Sequence, residues 1–199
     1  MTANSETVVT ARGTVALLMS PEEARHFRRL LFGAGCEAQI LSTETLAGLR
    51  GIAAKLAHPA RLIAFCSRVV VPPGVLQVFD AGAFNFHPGP PEYRGLAPSF
   101  FALRDRARQF GTTFHSMSEI VDTGTIHAVR RFGIDPSLSR AELEVVAYRH
   151  LLQLSSELRH GLADLSHRFP SSGDRWRGRL HTANEVRSLT AGDAVSRYP

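Results

Sequence analysis

Short apolar runs alternate with amphipathic stretches through the first half of the chain. Residues 15–19 (Val-Ala-Leu-Leu-Met) are apolar throughout, which predicts a strand buried on both faces. Ser20-Pro21-Glu22-Glu23 follows, a capping box with proline at the first helical turn, and Gly33 stops the helix that starts there. The same reading gives a strand over 38–41, a helix over 44–56, and strands over 62–66 and 83–87. Strands alternating with helices predict a parallel sheet joined by crossovers, with ligands bound beyond the carboxyl ends of its strands. Pro98 opens a further helix reaching about Gln109, with Phe100, Phe101, Leu103 and Ala107 facing inward. Residues 111–117 and 125–132 read as an antiparallel pair. A second capping box, Ser139-Arg140-Ala141-Glu142, starts a helix carrying Leu143, Ala147, Leu151, Leu154, Leu158 and Leu162 at three- and four-residue spacing, a core-packing stripe. The expectation is an α/β fold: a mostly parallel sheet flanked by helices, with an antiparallel hairpin, in one domain over residues 1–169. An Arg/Ser/Gly-rich tail, mobile in part, would follow over 170–199.

Composition changes this picture little. A hydrophobic fraction of 44% and a charged fraction of 21% are those of a globular protein. The longest apolar region, 62–79, is interrupted by Arg68 and Pro72-Pro73, and the first residues are polar, so neither a membrane span nor a signal peptide is expected and the location predicted is cytoplasmic. Cys36 and Cys66 sit in apolar settings and read as buried thiols, with no disulfide framework and no metal site. The net charge of +5 suggests nucleic acid at first sight. All the basic residues but Lys55 are arginine, however, and acids are interleaved with them, which argues against a nucleic-acid partner. A basic surface would still suit an anionic small-molecule acceptor; a homodimer stays open.

The candidate chemistry lies in Asn85-Phe86-His87-Pro88-Gly89-Pro90-Pro91-Glu92-Tyr93-Arg94-Gly95. Asn85 and His87 are two apart, so in a strand they share one face. Pro88 ends that strand, and the prolines and glycines that follow read as a rigid loop. An amide and an imidazole side by side suit carbonyl chemistry, in which one group stabilises an oxyanion and the other handles a proton; one such donor is worth about 3 kcal/mol. Asp122, in Asp122-Thr123-Gly124, could orient the His87 ring and stabilise its imidazolium. Taken singly, each feature also has a purely structural reading: Asp-Thr-Gly is first a turn signal, and Asn-x-His a strand-end polar pair.

Asn85-x-His87-Pro88, Pro91-Glu92-Tyr93-Arg94-Gly95, Gly111-Thr112-Thr113-x-His115 and Asp122-x-Gly124-x-Ile126 together resemble the folate-dependent formyltransferases. The resemblance implies a Rossmann-like formyltransferase domain that moves a formyl group from 10-formyltetrahydrofolate to an amine without a metal. It places Asn85, His87 and Asp122 at the catalytic positions and puts Arg68, Val69 and Val70, with Gly124, in the folate pocket. Pro90, Tyr93, Arg94 and Gly95 fall in the substrate loop, where Tyr93 and Arg94 either cover the acceptor or shape the loop. His115 matches a frequent family histidine, with a structural role as open as a chemical one.

Departures narrow the acceptor. The stretch before Asn85 is short for the family. Met19-Ser20-Pro21-Glu22-Glu23 stands where the purine-pathway enzymes carry a phosphate loop, and its glutamates would repel a phosphate. Arg175-Trp176-Arg177-Gly178 through Thr182 is similar to a Trp-x-Gly-x-x-x-Thr segment of sugar and tRNA formyltransferases. The favoured acceptor is a small primary amine, an amino sugar carried on a nucleotide. The alternatives are methionyl-tRNA formyltransferase-like or formyltetrahydrofolate hydrolase activity, or a non-catalytic folate- or partner-binding paralogue.

Overall fold

The computed structural model describes residues 12–190. Its elements in chain order are β1 (Thr14–Leu18), α1 (Pro21–Gly33), β2 (Gln39–Thr43), α2 (Leu46–Ala53), β3 (Ala60–Phe65), α3 (Pro73–Leu76), β4 (Ala83–His87), β5 (Arg94–Gly95), α4 (Pro98–Arg104), β6 (Gln109–Ser116), β7 (Ile126–Gly133), α5 (Arg140–Glu157), α6 (Arg159–Ala163), β8 (Leu180–His181) and α7 (Ala183–Thr190). Both capping boxes close. The Ser20 hydroxyl accepts from the Glu23 N–H at 3.3 Å while the Glu23 carboxylate accepts from the Ser20 N–H at 2.9 Å, and Ser139 and Glu142 do the same.

One six-stranded sheet has the order β2-β1-β3-β4-β6-β7, and β5 and β8 form a separate two-stranded pair. The first four strands of the large sheet are parallel; β6 and β7 run antiparallel. This is the α/β sheet with an antiparallel extension that the alternation predicts. Helices α1, α5 and α6 cover one face through Phe27, Leu31, Leu151, Leu154 and Leu162. Helices α2 and α3 cover the other, where Leu49, Leu62, Val71 and Phe79 are buried. The apolar face of β4 enters an aromatic cluster: the Phe86 and Phe114 ring centroids lie 4.7 Å apart, and Phe27 and Phe65 close round Phe86 at 5.8 and 5.7 Å. Such buried rings contribute roughly 2–3 kcal/mol each, and they lock which face of β4 is left for Asn85 and His87.

Three spans differ from the sequence reading. The helix opened by Pro98 ends at Arg104 rather than near Gln109. Asp105 caps it, Arg106 turns to a left-handed φ of 52°, and Gln109 already pairs with Gly133 in the β6–β7 ladder. The helix over 44–56 contracts to α2, with Thr45 capping Gly48. The long Leu-striped helix breaks at Leu158, and the short α6 that follows turns its last carbonyls toward Arg61.

Arg61 ties that break to the sheet. It is fully buried on β3, and its guanidinium donates to the carbonyls of Ala81, Gly161, Leu162, Asp164 and His167 at 2.6–3.1 Å. Phe84 and Phe169 flank it, with their centroids 5.5 and 5.7 Å from Cζ. Burial is the main cause that pulls its pKa down to about 10, which still leaves it charged at neutral pH. The negative end of α6 and the fork of donors match each other. Arg61→Ala is therefore expected to lower stability by on the order of 3–5 kcal/mol, because it strands five carbonyls at once. Arg61→Lys should recover only part of this, since an ammonium cannot reach the same fork; urea-unfolding midpoints check both.

Candidate active site

Asn85 and His87 emerge on the face of β4 opposite the phenylalanines. The β4–β6 register sets His115 across from Asn85 and Thr113 across from His87. The Thr113 hydroxyl donates to the Gly89 carbonyl at 2.8 Å and pins the loop where it leaves β4. Strand pairing thus brings two imidazoles and an amide together from residues far apart in sequence.

Asp122 completes the group from the turn between β6 and β7. Its carboxylate Oδ2 lies 3.5 Å from His87 Nδ1, and Oδ1 lies 3.4 Å from His115 Nε2. All three side chains are 5% exposed or less. The turn holds Asp122 at a left-handed φ of 50°, uncommon for a residue with a side chain. Fixed donors keep it there: the Gly95 N–H reaches Oδ2 at 2.7 Å, and Arg94 Nε reaches the Asp122 carbonyl at 2.8 Å. Burial alone would raise the Asp122 pKa. The His87 charge, the hydrogen bond and charge of His115 and the Gly95 N–H outweigh it and hold the carboxyl well below the usual carboxylate range.

Donor logic restricts the proton positions. His87 Nε2 faces the Tyr93 carbonyl at 2.9 Å, so that nitrogen carries a hydrogen, and Nδ1 is the side turned to Asp122. Only the imidazolium donates at both ends. His115 Nδ1 donates to the Ser116 carbonyl at 2.8 Å. Its Nε2 meets both Asp122 and, at 3.2 Å, the Asn85 amide nitrogen. With His115 neutral, Asn85 donates one N–H to Nε2 and keeps the second for a ligand. With His115 protonated, the ring donates to Asp122, and the amide must present its oxygen instead. Either amide orientation leaves an N–H turned away from His115 to meet an oxyanion. The constellation combines an outward amide donor, a charge-bearing imidazole and a buried carboxylate, the equipment for adding a nucleophile to a carbonyl.

The sequence model described as "Formyl transferase" matches residues 43–149, more than half of the chain and all of this constellation. The chain belongs to the formyl transferase family. A methionyl-tRNA formyltransferase from Sorangium cellulosum is 35% identical over 77 residues, 38% of this chain. The chain spans 25% of that relative's length, and 31% of a similar enzyme from Dictyoglomus turgidum. The fold is shared with solved structures. A 4-N formyltransferase from Francisella tularensis superposes with a TM-score of 0.73 at 12% identity, covering 94% of this chain and 84% of that one. The formyltransferase PseJ from Anoxybacillus kamchatkensis, in complex with UDP-4,6-dideoxy-4-formamido-L-AltNAc and tetrahydrofolate, gives 0.68 at 18% identity, covering 90% of each chain.

Within this family frame the remaining expected residues fall in two places. Pro90 is buried, and the ring of half-buried Tyr93 turns inward, its centroid 6.3 Å from that of Phe110. Burial first, then the Asp105 carboxylate, push the Tyr93 phenol up to about 12. Arg94 Nε and the Gly95 N–H bond to the Asp122 turn. Arg68 and Val70 are exposed after β3, while Val69 packs against the same apolar cluster as Met117. A groove of about 280 Å³ is lined by Pro73, Leu76, Gln77, Met117, Ser118 and Glu119. Its lining combines apolar side chains with amide, hydroxyl and carboxylate groups. Gly124 is required by space: a Cβ there would sit 1.9 Å from the Ser116 carbonyl oxygen. Among the described residues no group of three or more His, Cys, Asp or Glu side chains is arranged to hold a metal, and no helix is long and apolar enough to cross a membrane.

Sequence reasoning missed one member. The Trp176 indole N–H donates to the Gly124 carbonyl at 2.7 Å, and its ring meets His115 edge-on at 4.8 Å between centroids. The Trp-x-Gly segment was the available signal, but it gives no hint of what the ring touches.

Gly124→Ala is expected to displace the turn, because the obstacle is backbone; thermal unfolding should register a loss of about 2 kcal/mol or more. The Asp122 pKa is lower folded than its ordinary 3.8. Its contribution is therefore complete above that ordinary value and disappears as pH falls through the folded one. Urea midpoints measured from about pH 5 to 2 should drop more steeply in the wild type than in Asp122→Asn.

Proposed function

We propose that this chain transfers a formyl group from 10-formyltetrahydrofolate to a primary amine of a small molecule, a nucleotide-linked amino sugar being the favoured acceptor. The observation that carries the reading is the convergence of Asn85, His87 and Asp122 at the carboxyl end of β4, with Asn85 half exposed and the other two buried behind it. Family membership supports the reaction class. The sugar nucleotide and tetrahydrofolate held by the Anoxybacillus relative support the acceptor and donor classes. The groove beside Met117 would seat the pterin ring; Val69 packs in the same apolar cluster as Leu76 and Met117 of its lining.

In this reading the amine nitrogen attacks the formyl carbon, and the free Asn85 N–H receives the oxygen as it becomes anionic. His87 exchanges the Tyr93 carbonyl for that oxygen, while Asp122 balances the imidazolium charge. The ammonium proton then leaves through the His87–Asp122 pair or water. Collapse breaks the bond to the folate nitrogen, which takes up a proton, and releases a formamide and tetrahydrofolate.

The test is incubation with 10-formyltetrahydrofolate and a panel of amines, with formamide product read by mass spectrometry and formate release read in parallel. Formamide from a sugar nucleotide supports the reading; formate without acceptor assigns the hydrolase instead. Asn85→Ala and His87→Ala should each lower kcat by about a hundred- to a thousandfold while the fold stays intact. A wild-type rate in either variant removes that residue from the chemistry. Calorimetric titration with 5-formyltetrahydrofolate separates an intact donor pocket from a scaffold that binds none.

A further inference from the structure

Trp176 lies outside the 43–149 span that defines the family match, yet its side chain enters the site from the tail. Two things converge on it. Its N–H is a tail donor on the Asp122–Gly124 turn, complementing the Gly95 and Arg94 donors that approach from the loop after β4. Its ring stands edge-on to both imidazoles, 4.8 Å from His115 at 90° and 5.9 Å from His87 at 71°. Such T-shaped contacts are worth about 0.5–1.5 kcal/mol each and also exclude water.

The segment around Trp176 is built to hold it still. On one side Ser172 N–H donates to the Ile126 carbonyl at 2.9 Å. On the other, Arg177 N–H donates to the Pro91 carbonyl at 2.9 Å, and Gly178, at a φ of 65°, passes so near the Glu92 carbonyl that a Cβ would lie 2.7 Å from it. Beyond these, β8 pairs with β5, and His181 stacks on Phe101 with centroids 3.5 Å apart. A tail serving only to cover apolar surface would need neither an indole N–H aimed at a turn carbonyl nor a ring set against two histidines.

We propose that Trp176 is a positioning residue: its N–H fixes the turn that carries Asp122, and its ring shields the His115–Asp122 contact from solvent. The proposal rests on reading Asn85, His87 and Asp122 as the reacting group. Without the indole the left-handed Asp122 turn loses one of its anchors and His115 is wetted, so the carboxylate and the Asn85 amide that both meet His115 Nε2 are no longer held in one arrangement.

Two variants and one spectroscopic measurement test it. Trp176→Phe keeps a ring and removes the N–H; Trp176→Ala removes both. The expected result is a kcat lower by about tenfold in the first and by about a hundredfold in the second, with the donor KM within about twofold and the urea midpoint of Trp176→Phe close to wild type. Wild-type kcat in both variants overturns the proposal, as does a loss confined to KM. Trp176 is the chain's single tryptophan, so its emission reports its own surroundings without turnover. Weak quenching by iodide in the wild type, rising in His115→Ala, is expected; quenching like that of free tryptophan in the wild type overturns the placement. An inactive wild type with a shielded indole would refute the functional reading while sustaining the geometry.

Discussion

A single ionised carboxylate, Asp122, is the constraint on which the site depends. Burying it is costly unless it is compensated. The compensation comes from three elements: His87 at the end of β4, His115 in β6 and the backbone of β5. The left-handed backbone at Asp122 adds strain, accepted because those partners over-determine it. Beneath this, Arg61 performs a comparable task for the fold, gathering the end of α6 and the approach to β4 onto one buried cation. A charge at the site and a charge in the core thus each organise backbone that hydrophobic packing alone leaves undirected.

How much was legible in the sequence follows from the range of the interactions. Capping boxes at Ser20 and Ser139 involve neighbours three residues apart, and they formed as read. The shared face of Asn85 and His87 follows from strand alternation, and the opposite face was fixed by Phe84 and Phe86. Breaks in helical pattern were harder to read. Nothing local marks Leu158 as an end, because the partner of the carbonyls beyond it, Arg61, lies about a hundred residues away. The pairing of His115 with Asn85 needs the β4–β6 register, a tertiary property. The resemblance supplied Asp122; spacing alone left it a turn residue.

The tail carries contacts that composition alone does not reveal. From Pro170 to Gly178 every residue but Trp176 is exposed, as the composition suggests, yet Gly178 also lets backbone approach backbone, and the Ser172 N–H bonds the Ile126 carbonyl. Small and polar residues at such points make room and satisfy carbonyls, which composition alone cannot distinguish from flexibility.

The β5–β8 pairing carries a consequence for how the molecule is made. Ribosomes deliver a chain from its amino end, and the large sheet through β7 can assemble before the segment carrying Trp176 and β8 emerges. The strand partner of the loop after β4, and the indole against His115, arrive only when residues near 176–181 have been synthesised. During elongation the nascent chain would therefore hold its sheet while the imidazoles stay wet. Closure of the site thus follows assembly of the sheet, timed by where in the message Trp176 is encoded.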